Sequence, residues 1–227
     1  VRLVEHMGSD LSIVRNARVS YDADWRSGDG LPEGVSTDPG KDAKLIEYLL
    51  KNKHTSPFEA VVFTFEVKAP IFVFRQWHRH RTWSYNEVSA RYTELDEGFY
   101  VPSVEHITTQ STSNKQMRTT DQHPFAEHIQ QVIESECQTA HGVYQNLILK
   151  GCPRELARAV LPGAAYSRMM ATCNLHNLLH NFIPLRMHSH AQYEIRVYAQ
   201  AIYALLHTIV PVTVEAYSRL NDDYKRS

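Results

Sequence analysis

Apolar residues at Leu11, Val14 and Ala17 recur at helical spacing behind Asp10, which predicts a short helix over 11–19 with Asp10 as its N-cap. A stretch rich in Gly, Asp and Pro, 22–40, reads as a loop insertion. The helical period returns over 41–53, with Leu45, Ile46, Leu49 and Leu50 as the buried stripe. Pro57 in His54–Glu59 keeps that helix from continuing. Residues 60–67 alternate and are β-branched or aromatic, the pattern of a strand. Pro70 suits the first position of a helix over 71–78, so a strand and a helix deliver the residues from 79 onward onto a loop held at both ends.

Residues 92–121 are polar and irregular, with 108–113 almost featureless. A long helix is predicted over 124–150, with Ile129, Val132, Ile133, Val143, Leu147 and Ile148 inside and Gly151 as its stop. Pro153 opens a short helix that puts Arg154 and Arg158 on one face, as either a salt-bridged surface or an anion clamp. A strand over 163–172 with Tyr166, Met169 and Met170 packed comes next. Helices over 174–186, 189–209 and 212–220 complete the chain, and 221–227 reads as a frayed tail. Helices mixed with a few strands, no repeats and no domain-scale linker imply one α+β domain over 1–227, its helices gathered around a small, mostly antiparallel sheet.

A formal net charge of −1 gives no bulk electrostatic case for nucleic acid or an anionic membrane, so any anion site must be local. Cys137, Cys152 and Cys173 are odd in number and form no zinc or CxxC spacing. That fits a reducing cytoplasm, and no long apolar run suggests a membrane span. His176 and His180 share a helical face, but no glutamate or third ligand accompanies them, so no metal is expected.

Local charge is densest at 79–91, RHRTWSYNEVSAR. Arginine is a planar fork of donors suited to phosphate and carboxylate. Glu87 and Asn86 add acceptors and donors, and Ser84 and Ser89 add hydroxyls. Together these are the groups that a nucleotide's phosphate, sugar and base require. Ser84 and Glu87, three apart, also fit a capping box.

The run resembles the signature RHRxxSxNExSxR of flavin-dependent thymidylate synthases, with each fixed position met by Arg79, His80, Arg81, Ser84, Asn86, Glu87, Ser89 and Arg91. TSPFEAVVFTFEVKAPIFVFRQW, PRELARAVLP, NLHNLLH and LRMHSHAQYEIR are similar to family segments and occur in family order. The resemblance implies methylation of deoxyuridylate (dUMP) to thymidylate (dTMP). Methylenetetrahydrofolate would supply the carbon, NADPH the reducing equivalents, and FAD would carry the hydride. It implies flavin contacts from Ser56, Arg79, His80, Arg81, Glu87, Asn174, His176 and either His180 or Asn181. It assigns the nucleotide to Gln76, Trp77, His78, Arg79, Glu87, Val88, Ser89, Ala90, Arg91, Arg158 and Arg186. Arg186 becomes the catalytic residue, stabilising negative charge at pyrimidine N3 and O2. His54 and Tyr92 match the folate or nicotinamide side. Ser89 is expected to bind and orient, because no base accompanies it as a nucleophile would need. Between Asn174 and Arg186 the chain carries one residue more than the family spacing, near Pro184. The resemblance also implies a homotetramer with sites shared between subunits, which suits a chain too short to enclose three large ligands alone. Two rivals stand beside this reading. One is a flavoprotein oxidoreductase without methyl transfer. The other is a nucleic-acid module that stacks bases on Trp77, Trp83, Tyr85 and Tyr92.

Overall fold

Phe63, Phe65, Val67 and Ala69 are fully buried while the residues between them are half exposed. This alternation makes β2 (Val62–Pro70) a strand with one face on the core and one open. The structure, a computed structural model, describes residues 1–20 and 38–221, so most of the predicted 22–40 loop and nearly all of the predicted tail lie outside the described residues.

Along the chain lie β1 (Arg2–Met7), α1 (Asp10–Val19), α2 (Pro39–Lys51), a 3-10 turn (Ser56–Ala60), β2, α3 (Ile71–Trp77) and β3 (Ser84–Glu87). After these come β4 (Thr108–Gln110), β5 (Arg118–Gln122), α4 (Ala126–Leu149), α5 (Arg154–Ala157) and β6 (Tyr166–Asn174). The chain closes with α6 (Leu175–Asn177), a π turn (Leu178–Phe182), α7 (Ile183–Arg186), α8 (Tyr193–Ile209) and α9 (Pro211–Leu220). The main sheet has the order β1-β2-β6-β3 with every neighbour antiparallel. The α+β expectation with a small antiparallel sheet therefore holds. Its inner face shares a core with Ile13, Ile46, Leu49, Ile202, Leu206 and Val214 from the helices.

Several expectations change. The 79–91 run is not a loop throughout: Ser84–Glu87 pairs with β6, and this also excludes the capping-box helix. Residues 108–113 are not featureless, because β4 and β5 form a hairpin in which Thr109 and Thr119 share a hydroxyl contact of 2.6 Å. β1 has no counterpart in the sequence pattern. Its side chains are nearly all exposed at the sheet edge, so no hydrophobic alternation marks it. Gly8 ends it at φ +82, where an added Cβ would meet the Ala60 carbonyl at 2.9 Å. Pro39 and Gly40 belong to α2 rather than to the loop.

Asp10 does not cap its own helix; Ser9 holds that position. The Asp10 carboxylate instead accepts from the Val212 and Thr213 backbone N–H groups at 3.0 Å each, capping α9 across the fold. Gly151 does stop α4: Gly151 N–H donates to Ile148 O and Cys152 N–H to Leu147 O, both at 2.9 Å. Val132 and Val143 on α4 are exposed rather than inside, and Met170 lies on the open sheet face. Period alone shows that a face is apolar, not what covers it.

Candidate functional site

The site begins where α3 ends. Trp77 is fully buried against Phe182, with ring centroids 4.9 Å apart, and this anchors the turn that carries Arg79, His80 and Arg81. Tyr85 on β3 closes the turn from the other side, its hydroxyl donating to Trp77 O (3.0 Å) and His80 O (2.9 Å). The β3–β6 pairing thus sets the height of the arginine turn above the sheet. Burial raises the Tyr85 pKa and leaves it a neutral phenol.

Arg186 arrives from α7. Its Nε donates to His80 Nε2 at 2.7 Å and its Nη2 to Gln76 O at 3.2 Å, joining residues 106 and 110 positions apart. His80 accepts here, so Nε2 carries no proton and the other ring nitrogen does. Burial first, and then the Arg186 charge, push the His80 pKa down to about 4. Burial and the nearby Arg79 charge lower the Arg186 pKa as well. Among the described residues, Arg79, Arg81, Arg158 and Arg186 have no carboxylate partner.

Arg91 lies 3.6 Å from Glu155, and Arg158 Nε donates to the Glu155 carbonyl at 3.3 Å, so α5 and its 3-10 extension bring Arg158 beside the end of the signature. Arg154 instead pairs with Glu94 at 3.2 Å. Of the two alternatives for these arginines, surface pairing describes Arg154, whereas Arg158 is left without a carboxylate. Ser89 accepts from Arg91 N–H at 3.3 Å, and among the described residues no imidazole or carboxylate is bonded to it. Glu87 and Val88 are exposed at the end of β3, and Ala90 is buried beneath the turn.

A second cluster forms at the far end of β6. Asn174 caps α6, its Oδ1 accepting from Asn177 N–H and from Asn177 Nδ2, both at 2.9 Å. The His176 and His180 rings lie 4.8 Å apart. His180 Nδ1 meets the His176 carbonyl at 3.0 Å, while the buried His176 Nδ1 has no partner among the described residues. Asn181 Nδ2 donates to Asn177 Oδ1 at 2.8 Å. The turn carrying Ser56 packs on this cluster, with Phe58 and His180 rings 6.4 Å apart, and Ser56 and His54 are exposed. A π turn over Leu178–Phe182, one residue wider than an α-helical turn, lies in the segment between Asn174 and Arg186.

The nucleic-acid rival loses its stacking platform. Trp77 and Trp83 are buried, Tyr85 is tied by its hydroxyl, and of the four aromatics only Tyr92 is freely exposed. His78 stacks edge-on against Tyr85 at 4.7 Å.

The family model described as thymidylate synthase complementing protein matches residues 2–212. The chain belongs to the flavin-dependent thymidylate synthase family. It is 44% identical over 221 residues to the flavin-dependent thymidylate synthase of Treponema denticola, covering 96% of this chain and 79% of that one. The Thermus thermophilus enzyme of the same name is 46% identical over 217 residues, covering 96% and 74%. A UMP/dUMP methylase, PolB from Streptomyces cacaoi, solved with 5-Br dUMP, superposes with a TM-score of 0.84 at 36% identity, covering 96% of this chain and 94% of that one.

Sequence reasoning missed a polar network behind the family signature. Glu194, only 6% exposed, takes Arg118 Nη2 at 2.6 and 2.7 Å, the Tyr100 hydroxyl at 3.1 Å and Gln192 Nε2 at 2.8 Å. Arg118 also donates to His106 O at 2.7 Å. Nothing in the sequence joins residues 100, 106, 118 and 194. The one local signal is an acid in the first turn of α8, which reads equally as helix-dipole compensation.

Proposed function

We propose that this chain methylates dUMP to dTMP, with FAD as its bound redox group, NADPH as reductant and methylenetetrahydrofolate as carbon donor. The observation that carries the proposal is the convergence of Arg186 on the arginine turn, with four guanidinium groups there or nearby lacking carboxylate partners among the described residues. A dianionic phosphate, a dinucleotide pyrophosphate and a pyrimidine that develops negative charge all require such groups.

The residues present fit FAD. Arg79 and Arg81 are exposed cations, and the orphaned buried His176 Nδ1 is a polar atom that a ligand would satisfy. Ser56, Arg79, His80, Arg81, Glu87, Asn174 and His176 would hold the group, with His180 or Asn181 completing the set. Bound FAD supplies hydride transfer, and the chain's residues orient the partners and exclude water. Gln76 through Arg79, Glu87 through Arg91, Arg158 and Arg186 would hold the nucleotide. Arg186 would face the pyrimidine with the guanidinium N–H groups that His80 and Gln76 leave free. His54 and Tyr92 would meet folate or nicotinamide.

We assign the working form to a homotetramer in a reducing cytoplasm. α4 buries little beyond Ala126, Cys137 and Tyr144, and it leaves Val132, Val143 and Leu149 exposed, with Leu156 and Val160 nearby. A groove of about 940 Å³ between α8 and α9 includes none of the site residues. On this reading neighbouring copies would complete the site. An active species of 26.1 kDa in light scattering would refute this assembly. Among the described residues no helix is long and apolar enough to cross a membrane.

The test is anaerobic bleaching of bound flavin by NADPH, with and without dUMP. Bleaching accelerated by dUMP supports the proposal. Bleaching indifferent to dUMP, with no dTMP formed, returns the oxidoreductase reading.

A further inference from the structure

The nucleotide reading of Arg186 leaves open what holds Gln76, whose carbonyl accepts from that guanidinium. The Gln76 side chain is bonded to Gln192, Nε2 to Oε1. Gln192 in turn donates to the buried carboxylate of Glu194. We propose that Glu194 is a positioning residue for the nucleotide site, acting through Gln192 and Gln76 on Arg186.

The chemistry of the donors gives this chain a direction. An ionised carboxylate only accepts, so Gln192 must present its amide N–H to Glu194 and its carbonyl oxygen to Gln76. Gln76 must then donate its side-chain amide to Gln192, and this bond fixes residue 76, whose main-chain carbonyl meets Arg186. Burial opposes the charge on Glu194, but hydrogen bonds from Arg118 and Gln192 outweigh it, and the pKa lies below the usual value. A glutamine at 194 would keep the shape but lose the direction, since an amide donates as readily as it accepts. Arg118 lies on β5 and Tyr100 precedes the β4–β5 hairpin, so the network also ties that hairpin to the back of the site.

The inference rests on the proposed nucleotide role of Arg186, and its test separates the two. The holoenzyme, Glu194→Gln, Gln192→Ala and each combined with Arg186→Ala are titrated with dUMP, and the His80 ring is titrated by NMR on histidine-labelled protein. Glu194→Gln and Gln192→Ala are expected to weaken dUMP binding roughly tenfold, the scale of one hydrogen bond, with FAD content unchanged. In the Arg186→Ala background the further loss should vanish, because the residues act through one group. As Arg186 loosens, the His80 titration should rise from about 4 toward its ordinary value. Gln192→Ala leaves the Glu194–Arg118 pair whole, so it decides the matter if Glu194→Gln does not fold. Wild-type dUMP affinity in Gln192→Ala, together with an unmoved His80 titration, overturns the proposal. So does a dUMP loss that persists in full without Arg186. Should the parent bind no dUMP, the nucleotide reading falls and the His80 titration alone decides: a shift sustains the positioning role, and no shift ends it.

Discussion

The open face of the sheet and the arginine turn use the same residue type in opposite ways. Across the sheet, Arg2 meets Glu66 at 2.8 Å, Arg168 meets Glu66 at 3.4 Å and Glu97 at 2.6 Å, and Lys68 meets Glu97 at 2.7 Å. Each cation there has a carboxylate, and Arg168 and Lys68 hold the Glu97 pKa down to about 2. At the turn, Arg79, Arg81, Arg158 and Arg186 have none among the described residues. Composition conceals the difference, since 24 Lys and Arg against 25 Asp and Glu look balanced. Local balance is what separates a self-satisfied surface from one left open to an anion.

Removing Arg186 should give the largest effect. Arg186→Ala is expected to lower turnover on the order of 10²- to 10³-fold while FAD stays bound, as expected for a donor aimed at developing charge. Equal loss of flavin and turnover would erase its distinction from the other arginines. Arg158→Ala should raise the dUMP dissociation constant roughly tenfold or more, the scale of one charged hydrogen bond. Arg81→Ala should weaken flavin retention by about tenfold on the same scale, and a fully yellow variant would reassign it. Arg168→Ala should change stability little and leave turnover unchanged, because its ion pairs are half-exposed and screened by solvent. If Arg168→Ala matched Arg158→Ala in its effect on dUMP, the contrast between the two regions would be wrong.

A separate effect concerns pH. Folded His80 titrates at about 4 against an ordinary 6.5. Between these values the unfolded chain binds a proton that the folded site refuses, so stability falls as pH drops through that window. Thermal melts from pH 7 to 4 should show a shallower decline for His80→Gln, which accepts a hydrogen bond without titrating. A parallel decline in both proteins would place the acid sensitivity elsewhere.

Much of this site can be read from the chain because the 79–91 signature is contiguous, and contiguous groups need no fold to be recognised. Strand β2 is visible because one of its faces is buried and the other is not. The role of Asp10 is hidden because its partners lie some two hundred positions away on α9. The hairpin at 108–122 is hidden for another reason: its side chains are polar on both faces, so pairing leaves no period-2 mark. Helix α4 misleads in the opposite direction, since Val132 and Val143 make an apolar stripe that the described residues leave exposed. Glu194 and Arg118 remain separate until packing joins them.

The π turn at Leu178–Phe182 acts as a phase keeper. Adding one residue to a regular helix would rotate everything beyond it by about 100° around the axis. A wider turn absorbs such an addition within itself, so the helix beyond keeps its phase. Arg186 comes four residues after that turn and still meets His80 at 2.7 Å. The irregular backbone is thus what lets a longer segment deliver the same guanidinium to the same place.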